Sequence, residues 1–219
     1  NENGIVNIEE LEKAITKDTA LVSVMVANNE IGTIEPIKKI AQIARKNGVL
    51  FHTDAVQAIG NIPVNVEDLG VDLLSMSAHK FHGPKGVGAL YVRSGVPFDK
   101  FINGGHQERN KRAGTENVAS IVGMGKAIEL ACEQLAENKS HMEELREYYF
   151  EQILQKIPYI RINGDREQRL PGNTNISFRF IEGESLLLNL DMKGICASSG
   201  SACTSGSLDP SLSLIHISE

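Results

Sequence analysis

The stretch VDLLSMSAHKFHGPKGVGALYVR (residues 71–93) decides the fold. Its first seven residues, VDLLSMS, are apolar and strand-like. Its last seven, VGALYVR, read as another strand. Between them lies a polar connection in which Lys80 sits between His79 and His82 and runs into a Gly-Pro-Lys-Gly turn. Moving upstream, VLFHTD (49–54) is a strand, preceded by the amphipathic helix pattern PIKKIAQIARKNG (36–48). That helix has proline at its start and glycine at its end, where each suits the backbone. Before it, ALVSVMVA (20–27) is a continuous apolar run, as expected for a strand buried on both faces. IEELEKAI (8–15) has a helical pattern and VEDLG is a short helical turn. Strand, helix and strand with short connections form the grammar of a mostly parallel sheet flanked by helices, an α/β fold.

Downstream the character changes. INGGHQERNKRAGTENVAS is polar and glycine-rich, and it leads into a long helical stretch over about 116–139 that continues into HMEELREYYFEQILQKI. Short strand patterns follow, IRING and NTNISFRF, then the helix ESLLLNLDMKG and a Gly/Ser-rich loop. These elements predict a smaller α+β C-terminal domain after a boundary near 137. The chain opens on a polar turn without methionine and closes on SLSLIHISE, which has neither helix period nor cap. The expectation is a piece of a longer protein with both domains incomplete: 1–136 in the larger, 137–211 in the smaller, and 212–219 a non-native tail.

The bulk numbers exclude some classes. At 219 residues and 41% hydrophobic content the chain can bury a substantial core. A net charge of −6 argues against nucleic acid or a membrane surface as the main partner. No apolar run reaches the roughly 20 residues that span a bilayer. The three cysteines, Cys132, Cys196 and Cys203, lack metal-ligand spacing, and no metal site is expected. They fit a reducing, cytoplasmic setting.

Functional groups of an open α/β sheet gather beyond the carboxyl ends of its strands. Four segments supply them here: Asn28-Asn29-Glu30, then Asp54 with Gln57, then Ser77 with His79 and Lys80, then Arg112 with Thr115. Pyridoxal 5'-phosphate uses such a set. It takes a lysine amine for attachment, a carboxylate to keep its ring nitrogen protonated, and hydroxyl, backbone N–H and imidazole donors for its phosphate. Lys80, Asp54, Ser77 and His79 match those needs. Each alone has an ordinary role: a solvated lysine, a capping aspartate, loop histidines at 82 and 106, a core histidine at 52. The ordered set is more specific than its members. In SSGSACTSGS (198–207), glycine and serine place Cys203 in a pliable loop, a poor packing position for a residue normally buried. That suggests a mobile nucleophile, whereas Cys132 and Cys196 read as core.

NNEIGTIEPI, FHTDAVQAIG, SMSAHKFHGPKGVGALYVR, GGHQERNKRAGTEN and SSGSACTSGSLDPS, in this order, resemble the NifS/IscS-type cysteine desulfurases. These are class V aminotransferase-like, fold-type I enzymes with the aspartate aminotransferase-like fold of pyridoxal-phosphate-dependent transferases. The resemblance spans about residues 1–211. It implies that Lys80 carries the cofactor, that Asp54 pairs with the pyridine nitrogen, and that Gln57 and Asn29 contact ring substituents, Asn29 also lying near the substrate. It implies Ser77 and His79 as phosphate ligands and Thr115 as a ligand of the neighbouring subunit's phosphate, hence a homodimer. Cys203 would take sulfur from L-cysteine as a persulfide and pass it to an iron–sulfur scaffold or another sulfur-acceptor protein. A phosphate-binding turn, a ring-stacking histidine and a substrate-carboxylate arginine of the family fall outside these 219 residues. A selenocysteine lyase or class V aminotransferase shares the Asp and Lys positions, but an aminotransferase has no need of the Cys203 loop. From a different class, a non-enzymatic sulfur-relay or partner-docking piece remains as an alternative.

Overall fold

The computed structural model describes residues 1–199. Two compact units divide the chain. One comprises Asn7–Val26 with Glu35–Lys139; the other comprises Asn1–Val6, Ala27–Ile34 and the described residues from Ser140 to Ser199.

The first unit is built on a four-stranded sheet in the order β1 (Leu21–Met25), β2 (Leu50–Asp54), β3 (Leu73–Ser77), β4 (Gly88–Val92). The pairs β1–β2 and β2–β3 are parallel. β4 runs antiparallel to β3, which closes the sheet's parallel run. Three helices precede or connect these strands: α1 (Ile8–Ala14), α2 (Ile37–Lys46) and α3 (Val66–Leu69). Asn7 and Asn65 cap α1 and α3 by accepting two backbone N–H bonds each, as their side chains favour. α2 begins after Pro36 and turns its Ile37, Ile40, Ala41 and Ala44 stripe inward. Strand alternation sends Val22, Phe51, Thr53 and Leu74 into the core. The polar member, Thr53, is fully buried but donates its hydroxyl to the Val24 carbonyl at 2.8 Å, so it is not left unpaired.

The opposite face of the sheet carries a polar row. His52 Nδ1 lies 2.7 Å from the Ser23 hydroxyl and Nε2 lies 3.2 Å from the Ser75 hydroxyl, which ties three strands together. His52 is therefore a half-buried bridge between serines, not the enclosed core residue its mid-strand position suggests.

The long helical stretch is two helices, α4 (Val118–Glu133) and α5 (Leu135–Lys156), separated at Gln134. α4 packs against the turn that follows β3. Cys132 is exposed on α4, and Cys196 is exposed in coil after α6 (Gly183–Asp191), so neither is the core residue the sequence suggests. Each sits in a locally apolar stretch whose apolar side chains are themselves largely uncovered: Ile121, Val122 and Leu130 near Cys132, and Met192 and Ile195 near Cys196.

The second unit contains the Ser140–Lys156 part of α5, the antiparallel pair β5 (Ile160–Ile162) and β6 (Ile176–Phe178), and α6. Phe150 and Ile153 of α5, with Ile31, Leu170 and Pro171, form its apolar centre. No helix among the described residues is long and apolar enough to cross a membrane.

Asp72, almost buried at the entrance to β3, accepts a 2.9 Å bond from the Phe51 N–H through Oδ2 and pairs with Arg93. It stitches β2 to the end of β4. Asp72→Ala would leave that buried N–H without its acceptor, and we expect a loss of about 1–3 kcal/mol, read as a lower denaturant midpoint. An unchanged midpoint would show that the carboxylate is dispensable to the sheet.

Candidate active site

Parallel pairing fixes where the chemistry-bearing residues meet. β2 and β3 run side by side with Asp54 opposite Ser75, and the ladder continues as the Ala55 N–H donates to the Ser75 carbonyl at 2.9 Å. Asp54 is thus the last residue of β2, and Ser77, two residues past its partner, is the last of β3. Both strands end at the same edge of the sheet. The polar residues just beyond them emerge together, which is how an open α/β sheet assembles a site.

At the β2 end the chain turns at once. The Asp54 Oδ1 accepts the Val56 N–H at 2.8 Å, an Asx turn that pins the carboxylate at the strand terminus. The capping role is real, but it occupies one oxygen and leaves the second with acceptor capacity. Gln57 follows half-buried on the same turn, and its carbonyl accepts from the Asn61 amide.

At the β3 end, residues Ala78–Phe81 form a single 3-10 turn that holds His79 and Lys80. Ala78 and Phe81 are buried and anchor the turn; His79 is exposed and Lys80 half-buried. His82 ends it with φ 65°, the left-handed conformation, and its N–H returns to the Ala78 carbonyl. Lys80 has no ion-pair partner among the described residues. The turn therefore presents the Lys80 amine at the sheet edge uncommitted to an ion pair among the described residues.

The remaining candidates lie elsewhere. Thr115 is exposed in the loop before α4, where Arg112 donates to the Gly114 and Thr115 carbonyls. No hydrogen bond ties it to the strand-end set among the described residues. Its loop has unusual backbone: Glu108, Arg109 and Asn110 all have positive φ, which side chains rarely adopt and the sequence does not signal. Asn29 is exposed at the tip of the turn between Ala27 and Ile34 and belongs to the second unit. Cys203 lies outside the described residues. No group of three or more His, Cys, Asp or Glu side chains forms a metal cluster among the described residues.

The strand-end set fits pyridoxal 5'-phosphate by donor chemistry: a single half-buried amine, a carboxylate with one oxygen uncommitted, and hydroxyl and imidazole donors on one turn. A close approach holds that turn in place. A Cβ on Gly83 would stand 2.9 Å from Ala78 Cβ and 3.0 Å from the Ala78 carbonyl oxygen, with Ala127 of α4 behind it. Gly83→Ala should therefore push the Lys80 turn from its seat. We expect a stability loss of about 1–3 kcal/mol and reduced cofactor incorporation, checked by unfolding midpoint and bound-cofactor absorbance. Parent values for both would show that the turn yields freely.

Comparison with known proteins places the chain in a family. Residues 1–218 match the aminotransferase class-V family. A cysteine desulfurase IscS of Dictyoglomus turgidum is 56% identical over 216 residues, covering 98% of this chain and 55% of that protein. One from Methanosarcina thermophila is 57% identical over 208 residues, covering 95% of this chain and 51% of the relative. Among solved structures, a NifS-like protein superposes with a TM-score of 0.86 at 46% identity, over 90% of this chain and 54% of that one. A NifS-like protein from Rickettsia africae gives a TM-score of 0.86 at 37% identity, over 92% and 56%. The chain spans about half the length of the relatives it matches. It belongs to the class V aminotransferase family of pyridoxal-phosphate-dependent enzymes.

Proposed function

We propose that this chain carries the cofactor-attaching and sulfur-accepting residues of a cysteine desulfurase, which converts L-cysteine to L-alanine and transfers the sulfur to Cys203. The observation that carries the reading is the emergence of Asp54 and the Lys80 turn from the ends of adjacent parallel strands. The names of the relatives support it, since proteins 53–57% identical to this chain are called cysteine desulfurases.

In this reading Lys80 would hold the cofactor through its amine and would be placed to move the substrate's α-proton. Asp54, whose Oδ1 accepts the Val56 N–H, would keep the ring nitrogen of the bound cofactor protonated. Gln57 and Asn29 hold ring substituents, Asn29 also facing substrate, and Ser77 and His79 hold the phosphate. When bound, pyridoxal phosphate supplies the electron sink that makes the substrate's C–S bond breakable. Cys203 then takes the sulfur. The balance is L-cysteine plus the Cys203 thiol giving L-alanine plus a Cys203 persulfide, with no external oxidant or reductant. A persulfide is a reversible cap suited to handing sulfur onward to an iron–sulfur scaffold or another acceptor protein. Thr115 serves the phosphate of a second subunit, so the working enzyme is a homodimer, and its setting is cytoplasmic.

Two variants of the full-length protein test the reading. With Lys80→Ala, borohydride reduction should fix no pyridoxyl label on the protein; a label on Lys85 would move the attachment site. With Cys203→Ser, the cofactor absorbance and cysteine binding should persist. Alanine formation should stop, and intact mass should show no gain of about 32 Da, one sulfur atom. Alanine production at the parent rate would refute the Cys203 assignment and favour a lyase or aminotransferase that needs no thiol.

A further inference from the structure

The turn that bears Asn29 is chain-continuous with β1 yet belongs by packing to the second unit. Asn28 Oδ1 accepts the Glu30 and Ile31 N–H groups, at 2.8 and 3.0 Å, and the Gly32 N–H returns to the Asn28 carbonyl. This closes the turn around position 29 from inside. From outside, two amides grip the same atom: Asn173 Nδ2 donates to the Glu30 carbonyl at 2.8 Å and Asn175 Nδ2 donates to it at 3.2 Å. Glu30 is the residue immediately after Asn29.

These amides are themselves locked. Arg169, 2% exposed, donates from Nη1 to Asn173 Oδ1 at 2.9 Å and from Nη2 to the Asn163 carbonyl, while its Nε donates to the Asp165 carbonyl. Asn163 Nδ2 donates to Asn175 Oδ1 at 2.8 Å. The ring of bonds closes from Arg169 through Asn163 and Asn175 to the Glu30 carbonyl, and back through Asn173. Every orientation in it is forced, because a guanidinium only donates and a backbone carbonyl only accepts. Burial pushes the Arg169 guanidinium down to about 10, with Arg146 and Arg166 adding repulsion, so it remains a cation at neutral pH and charges these bonds. Gly32 completes the fit. At φ +74° it carries no Cβ, and one would stand 2.4 Å from Asn173 Cγ.

We propose that Asn173 and Asn175, held by Arg169, are positioning residues that fix the Glu30 carbonyl and thereby aim Asn29 at the bound ligand. The inference rests on the reading of Asn29 as a cofactor and substrate contact. The pair restrains that peptide from two directions.

Asn173→Asp combined with Asn29→Ala separates positioning from stability. The first substitution keeps an oxygen for Arg169, now as an ion pair, but replaces the donor facing Glu30 with a second acceptor. In the full-length protein the lost buried donor should lower the apo unfolding midpoint, to the same extent with or without the Asn29 side chain. The dissociation constant for pyridoxal phosphate, by absorbance titration, and the KM for cysteine should each rise about tenfold. Asn175→Asp, which likewise keeps its acceptor for Asn163, should act in the same direction and serves if the first variant fails to fold. Adding Asn173→Asp to Asn29→Ala should raise neither constant further, since the residue being aimed is gone. If the two effects multiply, the amide does not act through Asn29 and the inference is overturned. If Asn173→Asp is silent while Asn29→Ala is not, it is overturned as well. If Asn29→Ala is itself silent in both measurements, the assignment of Asn29 fails, and the inference falls with it.

Discussion

Register between β2 and β3 is the constraint on which the rest of the strand-end set depends. Side chains alternate faces along a strand, so a slip of one residue would carry Phe51 and Thr53 out of the core and bring His52 and Asp54 into it. The apolar set forbids this, because Phe51 and Leu74 are buried to 1% and 0% exposure. With the register held, Asp54 faces Ser75, and the polar residues that end both strands leave the sheet at one edge. The Asp72 carboxylate on the Phe51 N–H and the Ser23–His52–Ser75 row fasten the same alignment, one from the core and one from the other face. Hydrophobic burial sets the register, and hydrogen bonds that tolerate no shift confirm it.

The second unit is organised differently. Its centre is partly ionic: Arg146 and Arg169 are nearly buried, and the guanidiniums of Arg166 and Arg169 stand over the Phe150 ring at 4.6 and 5.6 Å. Burying a cation is costly unless its donors are met, and here backbone carbonyls do most of that work. Leu170 and Pro171 accept from Arg146, and Asn163 and Asp165 accept from Arg169. Such an arrangement loses much when one partner is removed and repays the burial with definite geometry. That suits a unit whose segments, 1–6, 27–34 and 140–199, must be gathered from distant parts of the chain.

Much of the first unit was legible in sequence. ALVSVMVA, VLFHTD and VDLLSMS announced β1, β2 and β3, but the two-sided burial expected of ALVSVMVA does not hold: Val22 is buried while Leu21 and Ser23 are exposed, because only one face of the sheet is covered among the described residues. Pro36 and Gly48 bracketed α2. The placement of Asp54, Gln57, Ser77, His79 and Lys80 at the ends of β2 and β3 was legible, since each follows an apolar run that ends there. Cys132 and Cys196 were misread. Local apolarity signals burial only when something covers it, and coverage is not a local property. Arg169, Asn173 and Asn175 were passed over, although the NTN tripeptide before β6 and a lone arginine ahead of Pro171 were visible in the sequence.

What the sequence determined by itself was the set of strands, their order and the residues at their ends, because these follow from periodicity, caps and breakers within a few residues. It also supplied the motifs that assign the chain to its family. Tertiary structure alone decided that β4 turns antiparallel, that the helix after residue 116 breaks at Gln134, and that the Asn28–Thr33 turn is clamped by side chains over 140 positions away. The physical reason is that a hydrogen bond between distant residues depends on how the chain closes in space, and no local pattern encodes that closure.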